Sequence, residues 1–315
     1  MQKVIIDCDP GHDDAIAIFM AAAAREAIDI VGMTTVAGNI DLPQATRNAI
    51  RVCEIAGLSA LPVHAGCSRP MVNRFFDASD YHGPTGLDGL GSDLGEPVIS
   101  AGQHAVDYII DAVLGADEPI TLLCLAPLTN LAVALIKAPQ IAQHIGEVIF
   151  MGGARRAGGN VTPSATFNLF CDPHAGHVVV ESGVNLTMVS LDATSQVVVG
   201  DRDVDRLASA GGAVGTAAAN ILSYFNRRRM ERYGLRPEQC LLNDACAVAY
   251  LLDRSLFSGR RAHVAIEVAS GLTAGMSVVD LTGVTGKTPN ALWIDGAEPA
   301  GVTELLHRTI AAHGS

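Results

Sequence analysis

Positive charge is scarce in this 315-residue chain: 21 Lys and Arg face 33 Asp and Glu, a formal charge of −12 with the ten His neutral. No surplus of cations is available to neutralise phosphates, which argues against nucleic acid as the main partner. The one basic run, Arg227 to Arg229, is too short to alter that. Cysteine pairing is lacking too. Seven cysteines, at 8, 53, 67, 124, 171, 240 and 246, form no CxxC, and an odd number cannot all pair internally, so a reduced, cytoplasmic chain is expected. Long apolar runs are missing: the longest, Ala15 to Ala24, covers half the roughly 20 residues a membrane helix needs, so no membrane partner is expected. Met1 to Lys3 leads straight into Val4-Ile5-Ile6, and no signal peptide is expected. Fixed-period repeats, low-complexity tracts and Pro/Ser linkers are also absent, so residues 1–315 are read as a single domain.

What is present can build a large core. Apolar residues make up 49% and charged residues 17%, which excludes wholesale disorder. Short β-branched runs alternate with Ala-rich stretches of helical period, the pattern of an α/β protein with an open, mainly parallel sheet flanked by helices. Strands are expected at Val4–Ile6, Ile28–Val36, Ile120–Leu125, Val148–Met151, Leu186–Leu191 and Val264–Val268. Helices are expected at Asp13–Arg25, Leu42–Ala56, His174–Ser182, Gly212–Gly234 and Asp244–Leu252. Arg69 to Gly95, rich in Gly, Asp and turn residues, reads as a long loop near a functional edge.

Chemistry concentrates in Asp7-Cys8-Asp9-Pro10-Gly11-His12-Asp13-Asp14, four carboxylates in eight residues just after a buried strand. Anions so close repel unless something positive joins them. A helix N-terminus supplies part of that, and a hard divalent cation such as Ca²⁺ or Mg²⁺, which prefers oxygen ligands, supplies the rest. Pro10-Gly11 makes a turn tight enough to bring Asp9 and Asp14 onto one ion. An EF-hand does not fit, because Ile18 stands where the closing Glu should be.

The string DCDPGHDDAIAI, with VAGN at 36–39, HGPTGLDG at 82–89, APLTNLA at 126–132, MGG at 151–153, GNVTPSATFN at 159–168 and NDACAVAY at 243–250, resembles the inosine-uridine-preferring nucleoside hydrolases. The likeness runs on to GKTPN at 286–290 and is greatest to the bacterial members that prefer pyrimidine ribonucleosides. It implies a Rossmann-like open α/β fold, hydrolysis of a small-molecule ribonucleoside to ribose and free base in nucleotide salvage, and a homodimer or homotetramer. It also implies one Ca²⁺ held by Asp9, Asp14, Asp244 and the Leu125 carbonyl. Asp13 matches the general base that takes a proton from the water the ion holds. Asn39, Asn160 and Asn168 match positions that bind the ribose hydroxyls. His82, Tyr224 and Tyr233 fall near the base pocket, His82 and Tyr233 as substrate-binding residues and His82 also as a catalytic candidate.

Two positions depart from the resemblance. Thr166 stands where a Glu usually binds the 5′-hydroxyl, and Asn243 stands where a His usually precedes the last metal Asp. The water-activating half is thus expected intact, with the 5′-sugar contact and the leaving-group residue altered. The departures leave open a different or 5′-modified riboside, or a weakly active riboside-binding protein. A haloacid-dehalogenase-like phosphatase is the remaining alternative, with Asp7 as nucleophile, Asp9 as acid/base and Gly200 to Asp205 as a second motif. Gly11 replaces the Thr or Val that such a motif needs.

Overall fold

The structure is a computed structural model that describes residues 1–90, 97, 102–234 and 240–313, without the side chains of Arg229, Arg232, Tyr233 and Cys240. Its strands are β1 (Gln2–Cys8), β2 (Ile28–Thr35), β3 (Val63–Ala65), β4 (Ile120–Cys124), β5 (Ile145–Met151), β6 (Leu186–Val189), β7 (Val198–Val199), β8 (Cys240–Leu241), β9 (Phe257–Ile266), β10 (Ser277–Asp280) and β11 (Ala291–Ala297). The helices are α1 (His12–Ala23), α2 (Leu42–Ile55), α3 (Ser79–His82), α4 (Ala105–Gly115), α5 (Thr129–Lys137), α6 (Phe167–Cys171), α7 (Pro173–Glu181), α8 (Leu191–Thr194), α9 (Asp201–Ala210), α10 (Gly212–Tyr233), α11 (Asn243–Leu252) and α12 (Pro299–Ala312).

Nine strands form one sheet in the order β10-β9-β11-β6-β5-β4-β1-β2-β3, with β7 and β8 paired separately. From β3 across to β11 every neighbouring pair is parallel. A parallel strand covered on both faces must be apolar on both, and β4 and β6 are buried at every residue. That is why these runs are legible as strands. The chain builds outward from β1 to β2 and β3, then returns to β4 and continues the other way. The carboxyl ends of β1 and β4 are therefore the point where the connections diverge and leave a crevice, the usual ligand position in such sheets.

The expected strand at Val264–Val268 is corrected in span and direction: β9 runs from Phe257 to Ile266, antiparallel to both β11 and β10. The short link from β9 to β10 has no room for the helical crossover a parallel pair requires. The long loop carries a short helix, α3, over Ser79–His82; its last residues, 91–95, lie outside the described ones. Helix α1 is buried nearly all round, from Ala15 to Ala22, because it lies between the sheet and the outer helices α10, α11 and α12. Its small Ala side chains suit that layer. No helix among the described residues is long and apolar enough to cross a membrane.

Candidate active site

The crevice opens into a cleft of about 860 Å³, lined at its base by Asp13, Asn39, Leu125, Asn168 and Asp244. Three elements deliver the carboxylates. Asp9 follows β1, Asp13 and Asp14 occupy the first turn of α1, and Asp244 occupies the first turn of α11. Carboxylate oxygens of Asp13, Asp14 and Asp244 all lie within 4.8 Å of one another. The turn holds them there: Asp14 accepts from the backbone N–H groups of Asp9 at 3.3 Å and Gly11 at 3.0 Å. Asp9 Oδ2 accepts from the Asn39 backbone N–H at 2.6 Å, and a Cβ at Gly38 would stand 1.9 Å from that oxygen. Only glycine leaves room there.

Asp9, Asp14 and Asp244 are buried, and desolvation followed by mutual repulsion sets their acidity. Burial, then the charges of Asp14, Asp13 and Asp7, push Asp9 well above the usual carboxylate range. Burial and Asp13 push Asp14 up to about 7. Burial and the neighbouring Asp13, Asp14 and Asp9 raise Asp244 likewise. Among the described residues, Asp9 Oδ1 is buried with no hydrogen-bond partner. A buried, unpartnered carboxylate oxygen beside three other carboxylates is a donor set that suits a hard divalent cation. The residues present fit such an ion, with Asp9 Oδ1, Asp14 and Asp244 as oxygen donors and Asp13 beside them.

The other expected residues fall as follows. Leu125, next after β4, turns its carbonyl to Asn168 Nδ2 at 2.6 Å, and a carbonyl oxygen keeps a second lone pair. Asn168 Nδ2 also donates to the Met151 carbonyl at 3.1 Å, so its Oδ1 is left for the cleft. Asn39 Nδ2 donates to the Asp9 carbonyl and to Asp14 Oδ2, both at 3.2 Å, leaving its Oδ1. Asn160 does the reverse: its Oδ1 accepts from Phe167 N–H at 2.9 Å and its NH₂ is left. Thr166 lines the cleft but is 1% exposed, and its hydroxyl accepts from the Gly153 N–H at 3.1 Å. Asn243 also lines the cleft, and its Oδ1 accepts from the Thr194 hydroxyl at 2.7 Å.

The upper wall combines His82 and Tyr81 from α3 with Phe225 from α10; His82 and Phe225 stack at 5.6 Å and Tyr81 meets Phe225 edge-on at 5.1 Å. Phe75, Phe76 and Phe167 add further rings to the lining. Tyr224 is corrected: Phe225 is the residue of that helix turn that lines the cleft, while Tyr224 lies on the ring of His12 at 5.5 Å. A helix turns its neighbours about 100° apart, so one position decides which face meets the cleft. Tyr233 ends α10, and its side chain lies outside the described residues.

Asp7 plays no part in the cleft. Its Oδ1 accepts from Thr34 Oγ1 at 2.6 Å and Asn130 Nδ2 at 2.7 Å inside the sheet. Asp203, in the other phosphatase-like motif, accepts from Gly200 N–H and lies 3.0 Å from His307 Nε2.

The family profile described as inosine-uridine preferring nucleoside hydrolase matches residues 4–304. The chain belongs to that family. Among relatives of this nucleoside hydrolase, the pyrimidine-specific ribonucleoside hydrolase RihB of Escherichia coli K12 is 41% identical over 291 residues, 92% of this chain and 90% of that protein. Solved structures share the fold: a plant nucleoside hydrolase, PpNRh1, with a TM-score of 0.91, 28% identity and coverage of 98% and 99% of the two chains. The purine-preferring ribonucleoside hydrolase from Gardnerella vaginalis superposes with a TM-score of 0.92 at 26% identity, covering 99% of each chain. Nucleoside hydrolases are N-glycosyl hydrolases, so the phosphatase alternative falls away.

Proposed function

We propose that this nucleoside hydrolase cleaves the N-glycosidic bond of pyrimidine ribonucleosides, with Ca²⁺ at the carboxylate cluster and Asp13 as general base. The observation that carries the proposal is the convergence of Asp13, Asp14 and Asp244 oxygens within 4.8 Å, Asp13 and Asp244 lining the cleft, with the buried Asp9 Oδ1 left without a hydrogen-bond partner among the described residues. The likeness to RihB supports the pyrimidine preference. When bound, a Ca²⁺ ion supplies positive charge that acidifies a water and anchors a vicinal diol. Asp9, Asp14, Asp244 and the Leu125 carbonyl would hold it.

The chain's own groups do the rest. Asp13, half-buried at the edge of the cluster, takes the proton as a water oxygen bonds to the anomeric carbon and the bond to the base breaks. Asn39 and Asn168 offer acceptor oxygens to ribose hydroxyls and Asn160 offers a donor amide, since each has spent the opposite atom on the backbone or on Asp14. Water, anomeric carbon and leaving base are thus held in one order. With Thr166 committed to Gly153, the site presents no charged acceptor at that position, and the 5′ end of the sugar is gripped weakly. The aromatic wall of Tyr81, His82 and Phe225 receives the base.

In this reading the chain works as one domain, in the cytoplasm, as a homodimer or homotetramer. The test is a panel of uridine, cytidine and inosine with purified, calcium-loaded protein, following reducing sugar. Ribose release from the two pyrimidine ribosides ahead of inosine is expected. Inosine as the best substrate would refute the pyrimidine preference. Tight binding of every riboside with no release would leave a binding protein instead.

A further inference from the structure

Between Met151, which ends β5, and Phe167, which starts α6, the chain forms no helix or strand, yet this stretch carries Asn160, whose NH₂ is left for a ligand in the cleft. An exposed loop that bears a binding amide must be held beforehand, or the substrate must order it at a cost in affinity. Its far root is tied by residues of the cleft: Thr166 to the Gly153 N–H, and Asn168 to the Leu125 and Met151 carbonyls. Its near root, Arg155 to Ala157, is exposed. There a single oxygen, Asp192 Oδ1, accepts from all three successive backbone N–H groups, at 3.2, 2.8 and 2.8 Å. Successive N–H groups converging on one anion form a nest, so the carboxylate fixes three residues at once.

Asp192 lies on α8, is 5% exposed, and is not among the described residues that line the cleft. Its Oδ2 has Arg156 Nε at 4.0 Å, and that guanidinium also donates to the Asp295 carbonyl at 3.2 Å. The helix is itself fixed to the sheet. Leu191 N–H donates to the Gly153 carbonyl at 2.8 Å, and Gln196 Nε2 donates to the carbonyls of Asp192 and Asp295 at 2.6 and 3.1 Å. Past the clamp the loop closes on itself: Gly159 N–H donates to the Pro163 carbonyl at 3.1 Å, and a Cβ at Gly159 would stand 2.2 Å from the Thr162 carbonyl oxygen. In a turn that tight, fixing residues 155–157 also fixes Asn160. We propose that Asp192 is a positioning residue for nucleoside hydrolysis, which sets Asn160 in place before the ribose arrives by holding the N–H groups of residues 155–157. This rests on the sugar contact assigned to Asn160 in the functional reading above.

The test uses full-length, calcium-loaded protein with uridine. Asp192→Ala should raise KM roughly tenfold, what re-fixing about one freed backbone residue costs, while kcat changes less and bound calcium stays stoichiometric. Asp192→Asn keeps the Oδ1 acceptor and should restore most of the KM. Asn160→Ala should raise KM too, and adding Asp192→Ala to it should raise KM little further, because the clamp then has no amide to place. An unchanged KM in Asp192→Ala, a fall in kcat alone, a KM in Asp192→Asn no better than in Asp192→Ala, or full additivity with Asn160→Ala overturns the proposal. Hydrogen exchange on the unaltered protein needs no variant. The amides of Arg155, Arg156 and Ala157 should be protected although those residues are exposed, and exchange at the open-chain rate overturns the clamp even where Asp192→Ala fails to fold. If uridine is bound but not cleaved, the activity reading fails, and the same cycle in uridine dissociation constants decides the role of Asp192. A protein that neither cleaves nor binds uridine or inosine defeats both.

Discussion

Replacing Asp7 by Asn should change how the stability of this protein depends on pH while leaving its catalysis in place. Two hydrogen bonds to Asp7 Oδ1 favour its charged form, but burial outweighs them and pushes the carboxyl from 3.8 up to about 6. Its Oδ2 is buried without a hydrogen-bond partner among the described residues. An acid whose pKa is higher in the folded chain keeps its proton there after the unfolded chain has lost it. Its contribution to stability is thus present below about pH 4 and is lost as pH rises through the folded value, about 6. The difference is roughly two units at about 1.4 kcal/mol each, a ceiling of about 3 kcal/mol. Asn keeps the acceptor oxygen for Thr34 and Asn130 and carries no charge, so that pH-dependent loss disappears. Its NH₂ takes the place of the unpartnered Oδ2, a cost of about 1–3 kcal/mol that does not vary with pH. The signature is therefore the slope of the difference between the two proteins. Urea unfolding from pH 4 to 8, with calcium in fixed excess, should show the variant gaining on the unaltered protein as pH rises. Parallel stability curves would refute the assignment of that titration to Asp7. Nucleoside hydrolysis should persist in the variant, because Asp7 does not line the cleft.

Asp9→Ala removes the unpartnered oxygen and should abolish calcium binding and activity together; retention of stoichiometric calcium by elemental analysis would exclude Asp9 as a ligand. Asp13→Asn should keep calcium and lose about 10² to 10⁴ in kcat, the usual cost of a missing general base, and a near-native kcat would remove Asp13 from that role. Asn243 donates a hydrogen bond but yields no proton, so p-nitrophenyl riboside should be cleaved far faster than uridine. Asn243→His should narrow that gap, since an imidazole with pKa near roughly 6.5 can donate a proton at neutral pH. Equal rates on the two ribosides in the unaltered protein would show that another acid already serves the leaving base.

The parts of this molecule that were legible in sequence are those where burial or charge left no alternative. β1, β4, β5 and β6 read as apolar runs because both faces of a central parallel strand are covered. Asp9, Asp13 and Asp14 read as a candidate cluster because carboxylates so close to one helix start repel unless something positive joins them, whereas Asp7 of the same string turns away to Thr34 and Asn130. β9 and β10 were harder. Arg260 and Arg261 are exposed and Val278 is half-exposed, so this edge of the sheet shows no continuous apolar run, and its direction depends on the short link between the strands. The aromatic wall was harder still, because it joins α3 to α10 across more than 140 residues, and the choice between Tyr224 and Phe225 turns on one step of helix rotation.

His12 shows where the limit lies. Its letter stands in plain view within the motif, between a glycine and two carboxylates. What it meets is a ring nitrogen seventy residues away and the carbonyl oxygen of Asp88. A backbone carbonyl is present at every residue, so no residue type marks the one that a buried side chain meets. The same holds for Leu125, whose carbonyl belongs to the site whatever its side chain, and for the Gly153 N–H that occupies the Thr166 hydroxyl. Side-chain chemistry identifies the groups able to react. Which atoms of those groups remain for the substrate is decided by what the backbone has already taken. Thr166 and Asn243 therefore matter as much for the bonds they have spent, on Gly153 and Thr194, as for the residues they are.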